Sequence, residues 1–303
     1  MNANLPNTAD DWIQQHVQPT GPAEPTHIRP WARVWRIPVA DGVVWFKMCA
    51  PVQNFEPRLT AELSRRWPDR VGFVLGCDVQ RAWLLMADAG TPAMDLGNPP
   101  ELWLSALPLY AQLQRGEAQH AHDHLAHGVP DVRLAALPSL YARLLRSELP
   151  IEPDEVRRLR TFESQLARLC RELDACGIPE TVQHDDLHMA NVYLKAGRMR
   201  ILDWGDASIS HPFASLVETF RFLEEINGLP MSPGDPWFDH LRDAYLEPWG
   251  SGLRDTFALA MRVGIFAHVS AWVRQRDALP QSAVGEFDRA FAILLRRAVA
   301  QTD

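Results

Sequence analysis

The sequence is short of positive charge, of paired cysteines and of long uninterrupted apolar runs, and each shortage narrows what the chain can be. Its 30 Lys and Arg are outnumbered by 38 Asp and Glu, for a formal net charge of -8. A nucleic-acid surface needs clustered Lys and Arg against the phosphates, so that class of partner is excluded. The four cysteines, Cys49, Cys77, Cys170 and Cys176, form no C-x-x-C pair and no zinc-ligand spacing, which points to reduced thiols rather than a disulfide framework. The first residues, MNANLPNTADDW, lack the basic start and apolar run of a signal peptide. The apolar stretch from Phe257 to Val273 is interrupted by Arg262 and His268, which makes it too polar for a membrane span. A soluble cytoplasmic protein with no membrane and no nucleic-acid partner is expected. No internal repeat or low-complexity tract is present.

What the chain does contain divides into two parts. Its 303 residues exceed the usual single-domain size, and 47% hydrophobic residues suffice for two cores. After a polar, proline-bearing start with a short helix around Asp10 to His16, the run Arg33 to Val39 and the run Val43 to Met48 flank Asp41-Gly42. A D-G pair between two β-rich runs predicts a hairpin. Val71 to Leu75 and Trp83 to Met86 predict two further strands, and the small-residue junction Ala87-Asp88-Ala89-Gly90 follows. Residues 100 to 178 carry leucines at near 3.6 spacing and read as helices. The fold class expected is therefore α+β and bilobal, with a β-rich lobe over residues 1–88 and a mainly helical lobe over residues 89–303.

The richest stretch runs from Gln183 to Asp206, QHDDLHMANVYLKAGRMRILDWGD. His184, Asp186, Leu187 and Asn191 fill the spacing H-x-D-L-x-x-x-N of a kinase-like catalytic loop, and Asp203-Trp204-Gly205 stands where such enzymes carry a metal-binding D-F-G. Between them, Val192 to Leu194 and Met199 to Leu202 predict a β-hairpin turning at Lys195 to Arg198. Phosphoryl transfer needs a carboxylate to orient and partly deprotonate an alcohol, and magnesium to neutralise the nucleotide phosphates. Asp186 suits the first task. Asn191 and Asp203 offer hard oxygen ligands that a hairpin would bring together. Lys47 lies within a predicted strand, where a lysine can simply face solvent; in a kinase-like lobe it would instead pair the α- and β-phosphates and be held by a helix glutamate. Glu56, at the start of a helical pattern, is favoured over Glu62 for that role. The junction can be a plain surface turn; in a two-lobed kinase it would instead be the linker whose backbone meets adenine, with Met86, at a strand end, and Asp88, in the junction beyond it, on the adenine side. No G-x-G-x-x-G precedes Lys47.

Other groups have plainer readings beside functional ones. His120, His124 and His127 would share one helical face, a metal-capable geometry, yet Glu117, Gln119 and Asp123 beside them suit a solvated face. Trp237, Tyr245, Trp249 and Trp272 read as core aromatics before pocket residues. Ser208 to Ser210 reads as a loop, and Gly228 to Asp235 as a mobile one. Glu218, Glu224, Glu225, Asp235, Asp239 and Asp243 are available to a cationic acceptor, or are ordinary charges on solvated helices.

The stretch from His184 to Asn191 together with Ile201 to Ala207 resembles the aminoglycoside phosphotransferase family, whose signature looks like H-G-D-L-H-x-x-N followed by I-D-W-x-x-A. The resemblance implies a protein-kinase-like fold and an ATP- or GTP-dependent, Mg2+-assisted transfer to a hydroxyl of a small molecule. It further implies Asp186 as the base, Asn191 and Asp203 as magnesium ligands, and Lys47 with Glu56 as the phosphate-binding pair. Asp185 departs from the family's glycine and is expected to point away, since a second carboxylate facing the base would oppose its ionisation. Two competing classes are a nucleotide-sensing pseudokinase of the same fold and a metal-dependent phosphohydrolase. The latter predicts His184-Asp185 on a helix.

Overall fold

The computed structural model describes residues 5–302 and divides into two compact units. The first unit takes in the chain up to Gly97, His127–Val129 and Met189–Asp206; the second takes in Asn98–Ala126, Pro130–His188 and the chain from Ala207 onward. The first is therefore discontinuous, completed by the hairpin that follows the histidine-rich loop.

In chain order the first unit opens with α1 (Asn7–Gln14), β1 (Glu24–Ile28), β2 (Ala32–Val39), β3 (Gly42–Cys49), α2 (Glu56–Arg66), β4 (Val74–Asp78), β5 (Trp83–Ala87) and the short β6 (Thr91–Pro92). Five strands form one antiparallel sheet in the order β1-β2-β3-β5-β4. The expected hairpin closes at Asp41-Gly42, with Val39 opposite Gly42. Strand side chains alternate between faces. Val44 and Phe46 of β3 join Trp35, Ile37, Trp83 and Leu85 in a core that Trp12 and Ile13 of α1 cover. Lys47 and Cys49 consequently project from the opposite face. The extended segment before Arg33 proves to be an edge strand, β1, and the β4 strand begins three residues later than its apolar run.

The second unit carries α3 (Pro100–Glu117), α4 (Ala121–Ala126), α5 (Leu137–Arg146), α6 (Pro153–Asp174) and β7 (Thr181–Gln183). The chain then returns to the first unit for β8 (Val192–Lys195) and β9 (Arg198–Ile201), and back again for β10 (Ser208–Ser210), α7 (Leu216–Asn227), α8 (Pro236–Leu246), α9 (Arg254–Ala278) and α10 (Gln281–Ala300). Ser208 to Ser210 is thus a strand, pairing antiparallel with β7, where a loop is expected from its sequence. Of the described helices, α9 is long and apolar enough to cross a membrane by length and composition. Arg262 and His268 do not disqualify it on that count, but its apolar residues are used inside the unit. Phe257, Val263, Phe266, Val269 and Val273 are buried, and Phe266 stacks on Phe162 of α6 with centroids 4.6 Å apart. Arg262 lies over the same Phe162 ring, and His268 meets Glu218 at 3.3 Å.

Candidate active site

In the first unit, three charges gather on the sheet face opposite the aromatic core. Lys47 lies in the middle of the sheet, with Val34 on one neighbouring strand and Leu84 on the other. Its Nζ is 2.7 Å from Glu56 and 2.6 Å from Asp203. Lys47 is 4% exposed and Glu56 fully buried, while the Asp203 side chain is 53% exposed. Glu56 occupies the first turn of α2, followed by Pro57, where a carboxylate suits the helix dipole and proline suits the first turn. Glu62 faces elsewhere, toward Arg66 at 3.8 Å and His127 at 3.3 Å. The glutamate that meets Lys47 is Glu56. Burial pulls the Lys47 ammonium toward neutrality, but Asp203 and Glu56 together outweigh it and hold its pKa well above the ordinary lysine value. The Cys49 thiol also donates to Glu56, at 3.2 Å, and burial pushes that thiol's pKa up.

The hairpin delivers Asp203 to this place. Val192 pairs with Ile201, and the Leu202 N–H donates to the Asn191 carbonyl at 2.9 Å, so the two ends of the β8–β9 ribbon close on each other. Asp203 adopts φ 63, a left-handed conformation that aspartate tolerates better than most residues. Gly205 is needed for another reason: a Cβ there would lie 2.7 Å from the Gln53 amide nitrogen and 2.8 Å from Glu56. Gln53 in turn donates to Asp206 at 3.2 Å. The Asp203–Asp206 turn is therefore fastened against the start of α2. Asn191 is buried. Its amide oxygen and the Asp203 carboxylate are hard oxygen donors of the kind Mg2+ takes, few enough to leave room for water and phosphate oxygens.

Met86 is buried on β5 between Trp45 and Val74. Asp88 is tied down: both its carboxylate and its carbonyl accept from Lys195 Nζ at 3.1 Å. Two residues on, Gly90 has φ +98 and approaches β8 so closely that a Cβ would fall 2.2 Å from the Leu194 carbonyl. The expected linker is thus pinned to the hairpin within the first unit.

The second unit carries Asp186, and neutral groups support its loop. The His184 N–H donates to the Tyr110 hydroxyl at 3.0 Å. That hydroxyl belongs to a buried network in which Gln114 donates to Ser215 at 3.0 Å and to the Val182 carbonyl at 3.1 Å, and Tyr245 donates to Gln114 at 2.6 Å. Ser215 donates to Gln183, and Thr219 to the Leu187 carbonyl, each at 2.7 Å. These partners are about thirty to over a hundred residues apart in the chain, so no local spacing signals them. His184-Asp185 lies in a loop after β7, not on a helix, which removes the geometry a phosphohydrolase would need. Asp185 has φ 60, and its carboxylate accepts from Ser208 of β10. Burial raises its pKa, against the Ser208 bond and the charges of His268 and Arg274.

The remaining candidates take plainer roles. His124 is buried against Glu117 at 2.8 Å, and His127 meets Glu62. Among the described residues no three His, Cys, Asp or Glu gather as a metal site. Tyr245 is core. The carboxylates available to a cationic acceptor are engaged within the second unit. Arg221 holds Glu218 at 2.5 Å and Glu225 at 2.8 Å; Arg297 reaches Glu225 at 3.1 Å and Glu224 at 3.8 Å. Arg242 holds Asp239 at 2.7 Å, and Arg242 and Arg254 share Asp243 at 2.8 and 2.6 Å. Asp235 accepts from the Ser232 N–H at 3.0 Å.

A family described as a phosphotransferase enzyme family matches residues 83–259, more than half of the chain. Solved structures share the fold across nearly its whole length. The choline kinase LicA from Streptococcus pneumoniae aligns with TM-score 0.64 and 11% identity, covering 97% of this chain and 98% of that one. A macrolide 2'-phosphotransferase type I gives 0.62 and 12%, covering 96% and 99%. A thermostable mutant of the aminoglycoside phosphotransferase APH(4)-Ia, in ternary complex with AMP-PNP and hygromycin B, gives 0.59 and 12%, covering 98% of each chain. Identities this low show the fold alone, and it is the expected kinase-like one. No curated protein matches the chain by sequence.

Proposed function

The chain belongs to the phosphotransferase enzyme family, and from that premise we propose that it is an ATP-dependent kinase acting on a hydroxyl of a small molecule. The observation that carries this reading is Lys47, buried in the sheet with Glu56 at 2.7 Å and Asp203 at 2.6 Å. A buried lysine kept charged by two carboxylates is costly to build for stability alone. It is well suited to receive nucleotide phosphates, with Asp203 and Asn191 as the residues that would hold Mg2+. When bound, the ion neutralises charge on the phosphates.

Asp186 is the base in this reading. It takes the proton of the acceptor hydroxyl as that oxygen bonds to the γ-phosphorus; the bond from the γ-phosphorus to the bridging oxygen breaks, and ADP leaves with the electron pair. Met86 and Asp88 are assigned to the adenine side. The cytoplasm, where ATP is held, is the location this reading implies. The relatives' names point to amino alcohols, macrolides and aminoglycosides as acceptor chemistries to try. The engagement of Glu218, Glu225, Asp239 and Asp243 by arginines favours an acceptor with little positive charge over a polycation.

The test is a thermal-shift assay with ATP and Mg2+, followed by a nucleotide-consumption screen over sugars, amino alcohols, choline, macrolides and aminoglycosides. Acceptor-dependent consumption of ATP is expected. Stabilisation by MgATP with no turnover against any acceptor would support a nucleotide-sensing pseudokinase instead.

A further inference from the structure

Asp186 stands on a loop with its side chain 34% exposed, and a carboxylate so placed turns freely unless something holds it. His188 does: its Nε2 lies 3.2 Å from an Asp186 carboxylate oxygen. The histidine is itself fixed. Its ring packs on Phe222 of α7, centroids 4.4 Å apart. The Arg221 guanidinium covers the same Phe222 at 4.1 Å, and Arg221 is anchored by Glu218 and Glu225. A chain of contacts thus runs from α7 to the loop carboxylate.

The charged groups facing His188 are Asp186 from its own loop and Glu218 and Arg221 from α7. Burial pulls its pKa down, but the bond and charge of Asp186, with Glu218, outweigh burial and Arg221 and leave it raised. The pair is partly buried, with side chains 16% and 34% exposed, and the desolvation of such a pair offsets much of its attraction, so it adds little to fold stability. Its geometry is better explained by what it does to Asp186.

We propose that His188 is the positioning residue of the base, holding the Asp186 carboxylate in one orientation toward the acceptor hydroxyl. The proposal rests on the reading of Asp186 as base, and two measurements separate the two. Turnover of MgATP, alone and with a panel of sugars and amino alcohols, is compared for the wild type, His188→Ala, His188→Gln and Asp186→Asn, and the His188 ring is titrated by NMR in the wild type and in Asp186→Asn. His188→Ala is expected to lower kcat roughly ten- to a hundredfold, the scale of a misplaced catalytic group, with the KM for MgATP within about twofold. His188→Gln, which keeps a donor of similar reach, is expected to recover most of that loss, and Asp186→Asn to lower the pKa of the ring. Wild-type kcat in a folded His188→Ala, where Asp186→Asn is inactive, overturns the proposal. So does a ring pKa that Asp186→Asn leaves unmoved. Should His188→Ala not fold, His188→Asn, whose shorter side chain falls short of the carboxylate, takes its place against His188→Gln. A wild type that turns over no MgATP overturns the kinase reading instead, and the ring titration alone then decides whether His188 holds Asp186.

Discussion

The two units hold the segments that carry their candidate site residues by different means. In the first, Lys47, Glu56 and Asp203 are charges held by charges, on a sheet face with Cys49 as the further donor to Glu56. In the second, the backbone of the loop bearing Asp186 is held by hydroxyls, an amide side chain and backbone carbonyls, through Tyr110, Gln114, Ser215, Tyr245 and Thr219, and charge enters at the Asp186 carboxylate itself, which meets His188. The difference follows from the task. On the proposed kinase reading Lys47 meets phosphate, and such a group has to stay charged while buried, which only a nearby opposite charge makes affordable. A loop that must keep its shape is fixed better by neutral hydrogen bonds, which are short-ranged and insensitive to salt.

The largest effects are expected at the charged cluster. Lys47→Met leaves Glu56 buried without its partner and is expected to lower stability by about 3–5 kcal/mol. The double variant Lys47→Met, Glu56→Leu is expected to recover most of that stability while remaining inactive, as read by urea denaturation and ATP consumption. Gly205→Ala pushes a methyl group into Gln53 and Glu56, and overpacking of this kind is expected to cost about 1–3 kcal/mol and to weaken MgATP binding, measurable by calorimetry.

At the neutral end the loss expected from a substitution is smaller. Gln114→Leu strips partners from Ser215, Tyr245 and the Val182 carbonyl, at about 1–3 kcal/mol of unfolding free energy read by urea denaturation, and this loss should not change with salt. His211, buried after β10, accepts from the Phe213 N–H through Nδ1, and burial lowers its pKa from 6.5 to about 3. Because the folded state binds this proton less readily than the unfolded chain, its contribution is complete above about pH 6.5 and is lost as pH falls toward 3. Roughly 1.4 kcal/mol per pH unit should disappear over that window, and His211→Gln should flatten the slope.

Much of the charged half was legible in the sequence because its residues stand in motifs. Lys47 inside a β run and Asp203 after a hairpin are local patterns, and the hairpin closes as its alternation predicts; in the second unit Asp186 was legible for the same reason, by its fixed spacing to His184 and Asn191. The first turn of α2 likewise separated Glu56 from Glu62. The neutral half was far less legible. Tyr110 and Gln114 lie on α3 among ordinary helical residues, and their partners are 68 to 131 residues away in the chain for Gln114. No period marks them. The three-residue strand β10 is too short to show alternation, and β1 has an exposed burial pattern that carries little hydrophobic signal. Engagement of the acidic residues by Arg221, Arg242, Arg254 and Arg297 also depends on which helical faces meet, which composition does not state. Asp185 proved to be held by Ser208, a contact across 23 residues that stabilises a left-handed position where the family's glycine needs no support.

The proposed reaction is transfer of a phosphoryl group with Asp186 as the base. The most direct measurement is the mass of an acceptor from the screen after incubation with MgATP and either the wild type or Asp186→Asn. The wild type should add one phosphoryl group to the acceptor, and Asp186→Asn should slow that transfer by roughly a hundred- to ten-thousandfold while still binding MgATP. Transfer at the wild-type rate by Asp186→Asn would show that Asp186 is not the base, and ATP loss that yields free phosphate and never a modified acceptor would show that the chain is not a kinase.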